Sequence, residues 1–311
     1  MNSAVQIVDF SRSYGSVPAV KTLTLNVREG ELFGLIGPDG AGKTTVLRAL
    51  CGLIGRDSGT MSVFGIDPVR EPRKLRESIG YMPQRFSLYP DLTVAENLRF
   101  FADLYLVSAT ERRQREERLM QFSRLAPFRD RRASDLSGGM KQKLALSCTL
   151  IHTPKLLILD EPTTGVDPVS RREFWAILKE LAADGITLIV STPYMDEALL
   201  CHRIALMNKG SALAVGTTSE ITTLYPYTLV EAIADDLQKL RRLLVTHGLA
   251  LNHLHRFGSK LHVSCSNSEE VKLVTSKVSQ YGGSARVTEP SIEDTFVALL
   301  DNQKTVNPTQ P

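Results

Sequence analysis

Long apolar runs are missing from this 311-residue sequence. No stretch approaches the roughly 18 consecutive apolar residues that a bilayer-spanning helix requires. Residues 1–6 carry neither a basic start nor an apolar core, so no signal peptide is expected. Any connection with a membrane is therefore predicted to depend on a partner protein.

Cysteine and net charge are also scarce. Four scattered cysteines without a CxxC pair argue against a zinc site or a disulfide framework and fit a reducing cytosol. The 37 Lys and Arg against 34 Asp and Glu leave a net charge of +3, too small to indicate a nucleic-acid groove. The charged segment 111–118 mixes both signs and is interpreted as a solvated helix face. No nucleic-acid partner is expected.

Short β-like runs alternate with helical ones, which indicates an α/β domain over residues 1–220. Between about residues 85 and 152 helical patterns replace strands, which predicts a helical subdomain inserted between two strands of the sheet. Buried strands are predicted at 31–36, 155–159 and 186–190, and the last two are apolar along their length, as central parallel strands are. A further strand is predicted at 79–82. A hairpin is predicted over residues 204–215.

A small α+β domain is predicted over residues 226–302. Its last helix begins at a capping box formed by Ser291 and Asp294. Four of its histidines lie near one another, but no carboxylate or cysteine stands at ligand spacing, so they are interpreted as unliganded surface or packing residues: His247, His253, His255 and His262. Residues 303–311 are predicted to form a disordered tail.

Residues 37–44 satisfy the pattern GxxxxGK[ST] between a predicted strand and a predicted helix, Lys43–Leu50. In such a loop, backbone N–H groups surround phosphate oxygens and the helix adds the positive end of its dipole. Lys43 is expected to reach the β- and γ-phosphates of ATP, and the Thr44 hydroxyl to bind Mg²⁺. The predicted nucleotide-binding residues here are Gly37, Pro38, Asp39, Gly40, Ala41, Gly42, Lys43, Thr44 and Thr45.

An apolar strand at residues 156–159 runs directly into Asp160 and Glu161. Ligands of open α/β sheets bind at the carboxyl ends of strands, which is where these carboxylates are predicted to lie. Asp160 is predicted to hold Mg²⁺ through a water molecule. Glu161 is predicted to polarise the attacking water as general base.

The run Leu136-Ser137-Gly138-Gly139 completes a series of three motifs. A phosphate loop, an LSGG run and an acidic strand end in this order resemble the ATP-binding cassette (ABC) family over residues 1 to about 218. The resemblance implies a P-loop ABC ATPase domain with an inserted helical subdomain, plus the small C-terminal α+β module. It also implies a face-to-face pair of cassettes, in which Ser137, Gly138 and Gly139 complete the ATP site of the opposite subunit.

Three further residues match family positions. Gln84 matches the family's Q-loop, which implies contact with Mg²⁺ and the attacking water. Asp167 matches the D-loop that lies across the dimer interface. Tyr14 matches the aromatic residue that stacks on adenine.

The main departure from the family pattern is Pro193, which stands where the family ordinarily has a switch histidine that contacts the γ-phosphate. Proline has no side-chain donor and no N–H, and losing one such hydrogen bond typically slows hydrolysis by ~10²–10³, roughly 3–4 kcal/mol. His202, predicted on the following helix, is a poor substitute. In one hypothesis this site hydrolyses ATP poorly, and the chain pairs with a different ATPase that has a complete site. In the other, Glu161 alone suffices for hydrolysis and Pro193 is tolerated. Asp39 replaces the usual asparagine and adds negative charge near the phosphates.

The LSGG run followed by Met140 looks like the ATPases of drug and antibiotic exporters, and resembles the N-terminal half of tandem-cassette exporter ATPases. This implies a peripheral motor subunit at the cytoplasmic face of the plasma (inner) membrane. Its implied partners are integral-membrane transporter subunits, received by a groove in residues 85–101, and a second ATPase subunit, identical or paralogous. An importer ATPase and a regulatory ATP-binding subunit stay open as alternatives. Cassette proteins acting on DNA or ribosomes are disfavoured, since long heptad repeats and a second cassette are missing.

Overall fold

The computed structural model describes residues 2–85 and 88–306. Its internal contacts divide the chain into two compact units after Thr218, slightly before the predicted boundary region of residues 220–226. Tyr225 accounts for part of this difference, because its hydroxyl lies 2.6 Å from Ser264 Oγ of the second unit. Within the described ranges, no helix combines the length and the apolar character needed to cross a membrane.

In its described residues, the first unit contains two sheets and six α-helices besides short 3-10 helices, and a seventh α-helix lies at the boundary. Its strands are β1 (Ser3–Tyr14), β2 (Val17–Arg28), β3 (Leu32–Ile36), β4 (Ser58–Val63), β5 (Ile79–Met82), β6 (Leu156–Asp160), β7 (Thr187–Thr192), β8 (Arg203–Asn208) and β9 (Ser211–Gly216). Its helices are α1 (Lys43–Leu50), α2 (Pro72–Arg76), α3 (Val94–Leu104), α4 (Ala109–Phe122), α5 (Gly138–Leu150) and α6 (Pro168–Ala183). The boundary helix is α7 (Thr218–Thr222).

The larger sheet has the order β5-β6-β7-β3-β8-β9. Strands β5, β6, β7, β3 and β8 are parallel, and β9 returns antiparallel to β8 as the predicted hairpin. Strands β3, β6 and β7 are buried along their whole length, which explains their continuous apolar sequences. The register sets Asp160 beside Ser191 and Ile36 beside Thr192, so the loops after these strands meet at one edge.

The smaller sheet is antiparallel, in the order β2-β1-β4, and was not predicted. Helix α1 buries Val46, Leu47 and Leu50 in the core that includes apolar residues of both sheets. In β2, Leu23, Leu25 and Val27 alternate with polar residues. This alternation is visible in the sequence and is typical of a strand with one buried face.

Between β5 and β6, the part of the chain that the structure describes contains helices and no strand. Helices α3, α4 and α5 share a core that includes Leu98, Met120 and Leu144. The charged segment forms part of α4 and carries ion pairs such as Arg115–Glu111 at 3.0 Å. Glu116 departs from the predicted solvated face: it is buried, and burial raises the pKa of its carboxyl despite the nearby Arg112.

The second unit is a four-stranded antiparallel sheet with helices. Its elements are β10 (Thr228–Ile233), α8 (Leu237–Thr246), β11 (Leu254–Phe257), β12 (Lys260–Cys265), α9 (Ser268–Gln280), β13 (Ser284–Thr288) and α10 (Ile292–Val306). The strand order is β11-β12-β10-β13. Val230, Leu240, Val263 and Val274 lie in its apolar core.

The end of the second unit corrects one prediction. The predicted capping box is formed: Ser291 N donates to Asp294 Oδ2 at 2.9 Å, and Asp294 N donates to Ser291 Oγ at 3.1 Å. Helix α10 then continues to Val306, so residues 303–306 are helical rather than disordered. A capped helix that starts well can propagate past the last buried apolar residue. The remainder of the predicted tail, residues 307–311, lies outside the described residues.

His262 is a half-buried packing residue with two carboxylate neighbours. Its Nδ1 lies 2.7 Å from Asp294 Oδ1, and its Nε2 lies 3.8 Å from Glu231 Oε2. Burial raises the pKa of Asp294, but hydrogen bonds with His262 and Ser291 outweigh it and hold this pKa below its usual value. Both carboxylates are distant in sequence, which is why spacing alone missed them. Within the described ranges, no group of three or more His, Cys, Asp or Glu residues is arranged to hold a metal ion.

Candidate nucleotide-binding site

The phosphate loop follows β3 and opens α1, as predicted. Close approach of the backbone requires two of its three glycines: a Cβ at Gly37 would lie 2.2 Å from the Met207 carbonyl oxygen. Gly42 has φ +100°, and a Cβ there would lie 2.5 Å from the Ala19 carbonyl oxygen. Side chains are therefore excluded at both positions. Pro38, Asp39 and Gly40 are exposed at the tip of the loop, and Ala41, Thr44 and Thr45 lie at its junction with α1.

Lys43 lies beneath the loop with 3% of its surface exposed. Its Nζ donates to the carbonyl oxygens of Gly37 and Pro38 at 2.8 and 3.0 Å. The same Nζ lies 3.2 Å from Glu161 Oε1. A buried ammonium needs several partners to offset its desolvation, and here the loop itself and the predicted general base supply them.

Asp160 and Thr44 are in direct contact. Thr44 Oγ1 donates to Asp160 Oδ1 at 3.0 Å, and Ser191 Oγ donates to the same oxygen at 2.7 Å. Burial, followed by the negative charge of Asp160, raises the pKa of Tyr81 to about 12. A hydroxyl and a carboxylate are the hard oxygen ligands that Mg²⁺ prefers beside substrate phosphates, so this pair fits the predicted ion.

Glu161 has a strained backbone, with φ +49° although it is not glycine. Its N–H donates to Ser191 Oγ at 3.0 Å and to the Ser191 carbonyl oxygen at 3.1 Å. Oε2 accepts from Gln84 Nε2 at 2.9 Å, while Oε1 faces Lys43. Backbone strain held by such contacts is typical of functional positions. The side chain is fixed at both oxygens beside the phosphate loop.

Gln84 follows β5 and is exposed except for its contact with Glu161. In the hydrogen bonds described for this chain, its amide reaches Glu161 and neither Thr44 nor Asp160. Its predicted contacts with Mg²⁺ and with the attacking water both stay predictions.

The LSGG run begins α5. Ser137 Oγ accepts from Met140 N at 3.3 Å and caps the helix. Ser137 and Gly138 are exposed, whereas Gly139 is buried against Ser170 of α6. Gly138 lines an open cleft together with Gln84. The exposed helix start presents free N–H groups to any molecule that approaches this face.

Asp167 caps helix α6. Its Oδ1 accepts from Val169 N and Ser170 N, both at 3.0 Å. Hydrogen bonds from Ser170 are the main reason that the pKa of Asp167 lies below its usual value. Lys143 of α5 forms an ion pair with Glu173 of α6, which joins the helix of the LSGG run to the helix that Asp167 begins.

Tyr14 lies at the end of β1 with 47% of its surface exposed. The Arg12 guanidinium carbon is 5.5 Å from the centre of its ring. Strand β2, which continues from the same hairpin, contacts the phosphate loop where Ala19 meets Gly42. Stacking of this ring on adenine stays a prediction.

Pro193 follows β7 directly beside the phosphate loop, because Gly37 N donates to the Thr192 carbonyl oxygen at 3.2 Å. The prediction that His202 lies on a following helix is wrong. A 3-10 helix ends at Leu200, and His202 lies in the turn before β8, where its Nδ1 accepts from Leu32 N at 3.1 Å. Leu32 begins β3, at the end of the strand opposite the phosphate loop. His202 therefore cannot replace the missing switch histidine.

Several residues of the site were not predicted. Ser191 forms hydrogen bonds with both Asp160 and Glu161. Its position directly after the apolar run of β7, opposite Asp160 in the sheet, could have indicated this role. Glu197 is 1% exposed and accepts from Thr163 Oγ1 at 2.8 Å and from Thr192 Oγ1. Nothing local in the sequence indicates that this glutamate is buried rather than solvated.

Comparison with known proteins agrees with this geometry. Residues 20–164 match the ABC transporter family. The probable multidrug ABC transporter ATP-binding protein YbhF of Escherichia coli (strain K12) is 51% identical over 205 residues, which are 66% of this chain and 36% of that protein. The linearmycin resistance ATP-binding protein LnrL of Bacillus subtilis (strain 168) is 32% identical over 305 residues, 95% of this chain and 97% of that protein.

A solved structure has the same fold. The dimeric post-hydrolysis state of the ATP-binding cassette MJ0796 bound to ADP and Pi has a TM-score of 0.62 and 27% identity, and the match covers 68% of this chain and 98% of that one. The fold and the site thus define a nucleotide-binding cassette. The chain belongs to the ABC transporter family. The predicted resemblance and fold class are confirmed.

Proposed function

We propose that this chain is the ATP-hydrolysing motor subunit of a multi-subunit ABC exporter. The observation that carries the proposal is the direct contact of Lys43 with Glu161 and of Thr44 with Asp160 at one edge of the sheet. These four side chains are the functional groups that phosphoryl transfer to water requires. Similarity to YbhF, a probable multidrug ABC transporter ATP-binding protein, and to LnrL, a linearmycin resistance ATP-binding protein, supports export of drugs or other amphipathic compounds.

The phosphate loop and Lys43 bind the β- and γ-phosphates of ATP. The Thr44 hydroxyl would bind Mg²⁺ and Asp160 would hold it through a water molecule; the bound ion would supply neutralisation of phosphate charge. Thr44 Oγ1 and Asp160 Oδ1 already lie 3.0 Å apart at this edge of the sheet. Asp39, exposed at the loop tip, adds a negative charge that slightly weakens nucleotide binding.

Glu161 is the general base. In the resting chain Lys43 neutralises its Oε1, and a γ-phosphate competes for that ammonium. Loss of the Lys43 contact leaves Oε1 free to accept a proton from water, while Gln84 still holds Oε2. Binding of ATP thus frees Glu161 to act as a base towards water.

Two cassettes work as a pair. Ser137, Gly138 and Gly139 of one chain complete the site of the other through the N-terminus of α5, whose N–H groups and dipole favour phosphate. Asp167 lies at the same interface. The dimeric MJ0796 cassette supports this arrangement. The other partners are integral-membrane subunits at the cytoplasmic face of the plasma (inner) membrane, where this chain is peripheral.

A second candidate is favoured by Pro193. A site without the switch donor binds ATP and hydrolyses it slowly, which suits a regulatory subunit paired with a competent ATPase. The two candidates predict different kinetics for the chain by itself.

The test is steady-state hydrolysis and ATP affinity of the purified chain beside Glu161→Gln, Lys43→Met and Pro193→His. Glu161→Gln is expected to lower turnover at least ~10²-fold while ATP affinity is kept, because the phosphate loop is intact. Lys43→Met is expected to lose affinity. If Glu161→Gln hydrolyses ATP like the wild type, the assignment of the base is wrong.

Pro193→His separates the two candidates. A rise in turnover of ~10²-fold or more means that the site lacks one donor and that a second ATPase completes the transporter. Unchanged turnover, with a wild type that already hydrolyses ATP well, means that Glu161 suffices and that two copies of this chain form the motor.

A further inference from the structure

Glu197 joins two segments that flank the site. Its Oε1 accepts from Thr163 Oγ1 at 2.8 Å, and its Oε2 accepts from Thr192 Oγ1. Thr163 lies two residues after Glu161, in the loop that holds the general base. The carbonyl of Thr192 accepts from Gly37 N at 3.2 Å, where the phosphate loop begins. One carboxylate therefore ties the loop of the base to the foot of the phosphate loop.

Arg171 of helix α6 faces this carboxylate. Its Nε lies 3.6 Å from Glu197 Oε1, just beyond hydrogen-bond distance. This Nε is buried, and no hydrogen-bond partner for it occurs among the residues that the structure describes. The guanidinium carbon stacks 4.0 Å from the centre of the Tyr194 ring, next to Pro193. A shift of a few tenths of an ångström would complete the bond.

Helix α6 connects this cluster to the predicted dimer interface. Asp167 is its N-cap, and Arg171 N donates to the Asp167 carbonyl oxygen at 2.9 Å. Any movement of the helix start therefore moves Arg171. The path from Asp167 through Arg171, Glu197 and Thr163 to Glu161 consists of covalent turns and hydrogen bonds, apart from the open 3.6 Å gap between Arg171 and Glu197.

Packing alone does not require these groups. Burying a carboxylate is costly unless donors surround it, and an apolar side chain of similar volume often serves stability equally well. The first unit contains a comparable pair elsewhere: Glu31, 5% exposed, lies 3.2 Å from Arg203 Nη1, and this guanidinium lies over the Phe33 ring. Both ends of that pair are at the start of β3 and β8, opposite the site. It is a matched control.

We propose that Glu197 is a positioning residue for ATP hydrolysis and that Arg171 couples it to the interface helix α6. The inference rests on the proposed ATPase function. When a partner cassette engages Asp167, Arg171 closes onto Glu197 and fixes the Thr163 loop, and with it Glu161, in the orientation that hydrolysis needs. Pro193 offers no hydrogen-bond donor for this purpose, so the loop after β7 acts on the base through Glu197.

The test uses the full chain with Arg171→Met, Arg171→Lys and Glu197→Gln beside Arg203→Met and Glu31→Gln. Arg171→Met is expected to lower kcat at least tenfold, with KM and nucleotide affinity within twofold of wild type. Arg171→Lys is expected to recover part of the loss, since the positive charge stays beside Glu197. Arg203→Met is expected to lose similar thermal stability with kcat within twofold.

A second measurement does not depend on turnover. Amide hydrogen exchange is followed with and without Mg²⁺ and a non-hydrolysable ATP analogue. In the wild type and in Arg203→Met, the analogue is expected to slow exchange in residues 37–46, 161–166 and 168–175. In Arg171→Met, residues 37–46 stay protected and residues 168–175 lose their protection.

Failure of the Arg171–Glu197 coupling can be distinguished from failure of the proposed nucleotide function. If Arg171→Met matches Arg203→Met in kcat and in exchange, the Arg171–Glu197 pair is only structural and the inference is overturned. If the analogue protects residues 37–46 in no variant, including the wild type, the proposed nucleotide function fails and the inference fails with it.

Discussion

Gly138 and Gly139 are adjacent in the LSGG run but differ in their surroundings. A Cβ at Gly138 would meet no atom within 4 Å, whereas one at Gly139 would lie 2.4 Å from Ser170 Cβ and 2.5 Å from its Oγ. Carbon atoms in contact are ordinarily about 3.5–4.0 Å apart. Gly139→Ala therefore forces α5 and α6 apart by about 1 Å or distorts one of them.

The cost follows from two opposed terms. Overpacking of this kind typically costs ~1–3 kcal/mol, and alanine regains up to ~1 kcal/mol because it forms helix better than glycine. Gly138→Ala gains the helix term without the clash. The gain in helix propensity is the same for both variants, so it cancels when their free energies of unfolding are compared. The remaining difference is expected to be ~1–3 kcal/mol, or several degrees in Tm for a unit of this size.

The assay is urea unfolding of both single variants, of Ser170→Gly and of the double variant Gly139→Ala/Ser170→Gly. Removing the Ser170 side chain makes room for the new methyl group, so the double-mutant cycle should show a favourable coupling of at least ~1 kcal/mol. Equal stability of Gly138→Ala and Gly139→Ala, or no rescue by Ser170→Gly, would refute the contact as the reason for glycine at residue 139.

Three other perturbations have defined outcomes. Asp167→Ala should destabilise α6 by about 1 kcal/mol, whereas Asp167→Asn keeps the cap and tests the charge alone in an ATPase assay. The folded pKa of Asp294 is lowered, so its stabilisation is present above the unfolded value of about 3.9 and is lost as pH falls through the folded value; Asp294→Asn should therefore cost stability at neutral pH and flatten the acid dependence of unfolding. Burial raises the pKa of all four thiols, so a disulfide reagent should label none of them within minutes unless denaturant is present; these are Cys51, Cys148, Cys201 and Cys265.

The parts of the site that are contiguous in sequence were predictable. The predicted helix Lys43–Leu50 has the bounds that the structure shows, because a glycine-rich loop and an apolar periodicity mark its start and its buried face. Strand β6 was placed within a residue, since a short apolar run that ends in two carboxylates has few alternatives. Local propensity and motif chemistry agreed at both positions.

The remainder depends on contacts between distant segments. Thr163 and Glu197 are 34 residues apart, and His262 and Asp294 are 32 apart. Each side chain taken alone is a common polar residue, and only the packed fold brings it out of water to a partner. The unpredicted sheet has the same cause, since β4 pairs with β1 although β2, β3, the phosphate loop and α1 separate them in the chain.

Strand β3 lies in the middle of the larger sheet, between β7 and β8. It ends at Ile36, yet its second neighbour begins only at Arg203. The ribosome adds about 5–20 residues per second, so the 166 residues between Ile36 and Arg203 take roughly 8–33 s to synthesise. Both edges of this apolar strand stay open until β7 begins at Thr187, and one edge stays open until β8 follows, whereas the β1–β2 hairpin can form at once. A nascent chain stalled before Arg203 should therefore present this edge to chaperones or to other chains, and the phosphate loop should reach its final form only after β8 has emerged.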